Sequence, residues 1–325
     1  LAIAPIQFDL LILQAERALV TGDRATAEGA ADKLQEQLGG EANNGALIAA
    51  LGSIQLRLGR NTQAKENLER ALELLGPNNA GLLASLVQVH LVENDAGMAR
   101  ARFDALRDTG AKGVEIDLLL ADVLRAEGKT AEATKIYGEL IAQGSRDAVG
   151  QQFGTFMQSG KRTEAAETLE AWLKDHPDDQ AVTINLATLY MELGSDKALP
   201  LYEAMIDSKN PIVLNNLAWL YQQKSDPRAL ETARLALAAA PDSSDVLDTL
   251  GWILIGTGAA EEGVMHLRRA VQLKPNEPTV LYHLGVGLAR LGSASEARIT
   301  LQRALPSGEF GDREAAQQEL DALSE

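Results

Sequence analysis

The chain has 325 residues, a formal net charge of −16 and no cysteine. That charge argues against nucleic acid and an anionic membrane surface as main partners, because phosphate binding needs a basic stripe. The missing thiols exclude disulfides, thiolate metal sites and cysteine nucleophiles, and leave the compartment open. The length fits two ordinary domains or one array of repeats, and aromatics at only 4% suit helices packed on small residues.

The chain opens at Leu1 rather than Met, which reads as a mature form or an excised piece. The apolar run Leu10–Leu13 is far too short to span a bilayer, so any export signal or lipid anchor would have to lie upstream of Leu1. From there the sequence falls into similar units, with starts expected near residues 8, 45, 80, 114, 147, 180, 211, 244 and 278. The first turns at Gly22–Asp23, with Ala27, Ala31 and Leu34 inward. The second carries Leu51, Gly52, Gly59, Ala64, Leu68 and Ala71, and Gly76–Pro77 ends it. In the third, Asn94 replaces the turn glycine, and Asn tolerates left-handed backbone angles. The fourth has Ala121, Leu124, Gly128, Ala133 and Tyr137.

The fifth unit is the least regular, with Phe153, Gly154, Gly160, Ala165 and Trp172, and its turn reads one residue short. The sixth, with Ala187, Tyr190, Gly194 and Ala198, is short in the same region. The seventh rewrites its turn as KSDPR, and Asp226–Pro227 is expected to open the second helix. The eighth, VLDTLGWILIGTGAAEEGVMHLRRAVQLKP over 246–275, is the clearest. Leu281, Leu284, Gly285, Leu288, Ala297, Leu301 and Ala304 repeat most of it, each 34 residues on. A break at Pro306–Ser307–Gly308 precedes a capping helix over 312–323, with Ala315, Leu320 and Leu323 apolar. The joins near 146 and 210 are the candidate bends in what reads as one domain, 1–325.

These units resemble tetratricopeptide (TPR) repeats over the whole chain. The resemblance implies an all-α, right-handed superhelical solenoid of about nine helix–turn–helix repeats with a C-terminal capping helix. From residue 211 on, the runs PIVLNNLAWLYQQKSDPRALETARLALAAAPDSSDVLDTLGWIL and PTVLYHLGVGLARLGSASEARITLQRAL are similar to the C-terminal part of PEP-CTERM system TPR-repeat lipoproteins. Those belong to bacterial exopolysaccharide and exosortase systems, which implies a periplasmic, lipid-anchored scaffold. Mid-helix Gly52, Gly251 and Gly285 need a packing reason, since Gly costs a helix ~1 kcal/mol relative to Ala. Close approach of the paired helix supplies one.

No catalytic residue, metal site or cofactor is assigned. His90, His176, His266 and His283 lack zinc-motif spacing and read as surface or partly buried residues. Asp178–Asp179 and Glu261–Glu262 read as acids at helix starts. Trp172 reads as core. Trp219 and Trp252 each follow the small residue of a first helix, and the TPR resemblance puts them on or near the concave face. The equivalent earlier positions are read as Ser53, Gln88, Asp122, Thr155 and Thr188. Asn215, Trp219 and Gln222 share one helix face, and Asp248 and Trp252 repeat that spacing. Tyr282 continues the row, with Val286 in place of the indole. These six residues, Asn215, Trp219, Gln222, Asp248, Trp252 and Tyr282, form the candidate partner groove. Its expected occupants are protein or peptide partners, with a polysaccharide chain as the alternative. A third reading is an accessory region of a larger enzyme.

Overall fold

The structure is a computed structural model, and it describes residues 4–38, 43–306 and 310–323. It is helical throughout, with no strand among the described residues. The expected break at Ser307 and Gly308 lies outside them. The chain forms two compact units, Leu1–Thr168 and Leu169–Glu325.

The first unit holds α1 (Ala4–Thr21), α2 (Arg24–Gln37), α3 (Gly45–Arg57), α4 (Asn61–Leu75), α5 (Ala80–Val92), α6 (Ala96–Asp108), α7 (Val114–Ala126), α8 (Thr130–Ala142) and α9 (Arg146–Gln158). The division falls inside α10 (Arg162–Asp175). The second unit continues with α11 (Gln180–Glu192), α12 (Ala198–Glu203), α13 (Pro211–Gln223), α14 (Ala229–Ala239), α15 (Ser244–Gly256), α16 (Ala260–Leu273), α17 (Pro278–Arg290), α18 (Ala294–Ala304) and α19 (Arg313–Ala322). Odd-numbered helices up to α17 are the first helices of hairpins. From α3 on, each of these is 13 residues long.

One turn recurs nine times among the described residues. Gly22, Gly59, Asn94, Gly128, Gly160, Gly194, Ser225, Gly258 and Gly292 all have positive φ. The residue after each donates its N–H to a carbonyl five residues back, as in Lys129 to Leu124 at 2.9 Å and Ala259 to Leu254 at 2.9 Å. This closes the first helix and turns the chain into the second. Seven residues before each turn sits one recurring position: Ala15, Gly52, Val87, Ala121, Phe153, Ala187, Ala218, Gly251 and Gly285.

The glycines there are packing devices, as expected. A Cβ on Gly52 would lie 2.9 Å from Leu68 Cγ, one on Gly251 2.6 Å from Leu267 Cγ, and one on Gly285 2.6 Å from Leu301 Cγ. Gly263 was not foreseen: a Cβ on it would sit 2.8 Å from the carbonyl oxygen of Gly251, so α15 and α16 meet backbone to backbone. The alanines at the start of the second helices, among them Ala27, Ala64, Ala133, Ala198 and Ala297, are wholly buried. On the surface, ion pairs such as Lys65–Glu93 and Arg268–Glu296 link one second helix to the next repeat. Exposed pairs of this kind contribute ~0–1 kcal/mol each.

Three details differ from expectation. α1 begins at Ala4, four residues before the expected start. The second helix of the seventh hairpin begins at Ala229, not at Asp226–Pro227. Asp226 instead accepts the Arg228 N–H at 2.9 Å, which holds Pro227 in a turn. In the last helix Ala316 is the fully buried residue, and Ala315, Leu320 and Leu323 are partly buried around it.

Ser225, with φ 53°, adopts the left-handed turn angle without being Gly or Asn. That conformation costs an L-residue ~1–2 kcal/mol, partly offset by the smaller entropy loss on ordering Ser. Ser225→Gly should therefore stabilise the second unit by ~0.5–1 kcal/mol in denaturant unfolding, and an unchanged or lower midpoint would refute the strain.

His90 at the end of α5 is only 1% exposed, and neither ring nitrogen has a hydrogen-bond partner. Glu93 Oε2 stands 3.6 Å from Nδ1. Burial, reinforced by Lys65, holds its pKa below the ordinary histidine value, against the pull of Glu93 and Asp95. The unfolded chain thus binds this proton more tightly than the folded one. Stability is full above about pH 6.5 and falls as pH drops from there toward the lowered folded value. His90→Leu should flatten the fall in thermal midpoint between about pH 7.5 and 5.5, and an unchanged slope would exclude His90 as its source.

Candidate functional site

The first helices present their fifth and ninth residues in register. In the second unit these are Ile184 and Thr188 on α11, Asn215 and Trp219 on α13, Asp248 and Trp252 on α15, and Tyr282 and Val286 on α17. A 3.6-residue helix brings positions four apart onto one face, so stacked hairpins turn sequence spacing into rows.

The centre of this site is a residue sequence reasoning passed over. His283, the sixth residue of α17, is 2% exposed, and its Nδ1 lies 2.8 Å from Asp248 Oδ1. A carboxylate only accepts, so Nδ1 carries the proton and donates. The imidazole stacks on Trp252, with centroids 4.2 Å apart and planes 19° apart. Trp219 stands 6.4 Å away and Tyr282 5.5 Å away. His283 thus ties together α13, α15 and α17. Its reading as a surface or partly buried histidine is corrected, and so is that of His90. The signal was available: Asp248 and His283 are the fifth and sixth residues of successive first helices.

The six expected residues divide. Trp219 and Trp252 are half-buried and join the His283 cluster. Asp248 is 14% exposed and committed to His283. Tyr282 is only 8% exposed, so it does not offer its phenol to a groove. It packs in one apolar cluster with Ala316, Phe310 and Leu320, residues of the closing helix and the segment before it. Burial raises its pKa. Gln222 leans on the end of α15, where its Nε2 would be 2.9 Å from a Cβ on Gly256. Asn215 lines a separate hollow of about 290 Å³ with Pro211, Asn216 and Asp245. Its Oδ1 is buried without a hydrogen-bond partner. The neighbouring Asn216 donates to the Tyr202 hydroxyl at 2.8 Å, which also pairs with Thr188 at 2.8 Å.

Trp172 is core, as expected. It is buried, stacks on His176 at 3.6 Å and donates its indole N–H to Asp179 Oδ2 at 3.1 Å. Asp179 also caps α11 by accepting the Val182 N–H. In the fifth hairpin the expected register slips by one. Counting back from Gly160, the groove residue is Gly154, and Thr155 is buried, donating to the Gln151 carbonyl at 2.7 Å.

Comparison with known proteins agrees with this architecture. Residues 47–74, spanning most of α3 and α4, match the tetratricopeptide repeat family model. The α3–α4 hairpin thus matches a tetratricopeptide repeat. A crystal structure of the APC/C hetero-tetramer Cut9–Hcn1 shares the TPR fold with a TM-score of 0.53 and 15% identity, covering 92% of this chain and 59% of that one. Among curated proteins, the peroxisomal targeting signal receptor of Eremothecium gossypii is 29% identical over 161 residues, 46% of this chain and 27% of that protein. The probable biofilm formation methyltransferase WspC of Pseudomonas putida is 30% identical over 101 residues, 31% of this chain and 24% of that protein. The chain thus spans about a quarter of the length of either curated relative.

His283→Leu removes the donor from Asp248 and leaves a half-desolvated carboxylate. The expected loss is ~2–3 kcal/mol in denaturant unfolding. His283→Phe, which keeps a ring against Trp252, should lose less. Equal losses in the two variants would show that the stack contributes nothing.

Proposed function

We propose that this chain is a non-enzymatic scaffold that binds protein or peptide partners on the first-helix face of its second unit. The observation that carries the reading is the pair of half-buried indoles, Trp219 and Trp252, clamped by the His283–Asp248 hydrogen bond. Large aromatics held rigid with part of their surface in water lose little entropy on binding and bury much area, as hot spots do.

The setting we infer is a bacterial envelope system for exopolysaccharide assembly or export, or for exosortase-linked sorting. The chain would lie in the periplasm, held by a lipid anchor upstream. The resemblance of residues 211 onward to PEP-CTERM system TPR lipoproteins supports this setting. No helix among the described residues is long and apolar enough to cross a membrane.

Partner capture from an envelope extract, followed by titration of the captured protein, tests the reading. Trp219→Ala combined with Trp252→Ala should weaken binding by ~2 kcal/mol or more while the helical circular dichroism signal is retained. Undiminished affinity in the folded double variant would exclude this face as the partner site. Binding of isolated polysaccharide in place of any protein would replace the peptide reading.

A further inference from the structure

Four residues before the left-handed turn, three hairpins place a polar side chain that reaches back to the preceding second helix. Gln55 donates to Gln35 of α2 at 3.2 Å, Tyr190 donates to Glu170 of α10, and Tyr221 donates to Glu203 of α12 at 2.9 Å. In the third hairpin this position is His90, and it makes no such bond. The ring is buried and both of its nitrogens lack a partner.

The carboxylates that could serve it are held by others. Glu69 of α4 lies ten residues after its turn, as Glu170 does after its own, and is paired with Arg102 of α6. Glu93 Oε2 stands 3.6 Å from His90 Nδ1 but 2.8 Å from the Lys65 ammonium of α4. Asp95 caps α6 by accepting the Met98 N–H at 3.0 Å. Burial opposes a proton on the ring most, with Lys65 and Arg102 acting the same way, against the pull of Glu93 and Asp95. The His90 carbonyl meanwhile accepts the Asp95 N–H at 2.9 Å, the bond that closes the turn into α6. One residue thus carries both the unpartnered ring and the turn.

We propose that His90 is an acid-operated latch in the joint between the second and third hairpins. A proton on the imidazole adds a cation to a site whose carboxylates are already shared out between Lys65 and Arg102. His90 then draws Glu93 from Lys65 through Nδ1–H, while Nε2–H stays buried without an acceptor. A buried donor in that state is relieved by admitting water, so the turn over 93–95 parts from α4 and the start of α6 frays. The rest of the first unit stays packed, which separates this local opening from the fall in whole-chain stability. The open joint binds the proton near the ordinary histidine value of about 6.5 and the closed joint binds it less tightly. Closure is therefore full above about pH 6.5 and is lost as pH falls below it, with opening gaining up to about tenfold per pH unit.

The test is amide hydrogen exchange of the full chain at pH 7.5 and 5.5, with each rate corrected for the intrinsic effect of pH. The turn closed by the Lys129 N–H, where Leu124 stands in place of His90, is the internal reference. Protection at Asp95 and Ala99 should fall about fivefold or more relative to Lys129. His90→Leu, which installs the residue of the reference turn, should abolish the difference. Lys65→Met leaves Glu93 to the protonated ring and should cut the fall to about twofold or less. Uniform loss of protection across the first unit would overturn the latch in favour of global unfolding. A fall that persists in His90→Leu would assign it to another titrating group. An undiminished fall in Lys65→Met would remove the exchange of Glu93 between partners, and the latch with it.

Discussion

Everything in this protein rests on how closely two helices of a hairpin approach. Where Gly251 faces Leu267 and Gly285 faces Leu301, the leucine occupies the volume of the missing Cβ. Dispersion and apolar burial are strongest when the interior leaves no void, so one absent methyl group lets a whole side chain seat. The turn makes that approach repeatable. A single left-handed residue, backed by a bond from the next N–H to a carbonyl five residues back, aims the second helix the same way each time. With hairpin geometry constant, side chains at equivalent positions are free to vary, and function is written in that variation.

The first-helix rows show how much one backbone frame permits. In the second unit they hold Trp219 and Trp252, and His283 fixes the rings from the next helix. In the first unit they hold Gln88, Asp122 and Gly150 along an open cleft. One surface is aromatic and filled, the other acidic and hollow, and neither choice disturbs the small-residue contact beneath it.

The fold was legible because its determinants are local. Gly59, Asn94 and Gly258 announce turns, Gly52 and Ala64 announce contacts, and each acts within one hairpin. The site was legible only in part, for a different reason. Trp219 and Trp252 could be placed by register, but the partner of Trp252 is His283, one helix further on and a residue off the row. The burial of Tyr282 depends on the closing helix, whose docking no periodicity encodes. In the fifth hairpin, Gly154 after Phe153 imitates the small residue of other repeats, and only the φ of Gly160 restores the count. Ser225 escaped notice because its left-handed angle is imposed by the hairpin, not preferred by the residue.

The sixth hairpin is built more thinly than its neighbours. Its second helix, α12, has six residues and gives way to a short 3₁₀ turn over Ile206–Ser208, after which Lys209 is left-handed at φ 53°. Few backbone hydrogen bonds need to break for this segment to leave its place, so amide hydrogens there should exchange with solvent first in the second unit. Opening of this segment would take the Tyr202 hydroxyl from Thr188 and Asn216 together, while the Asp248–His283 bond would still join α15 to α17.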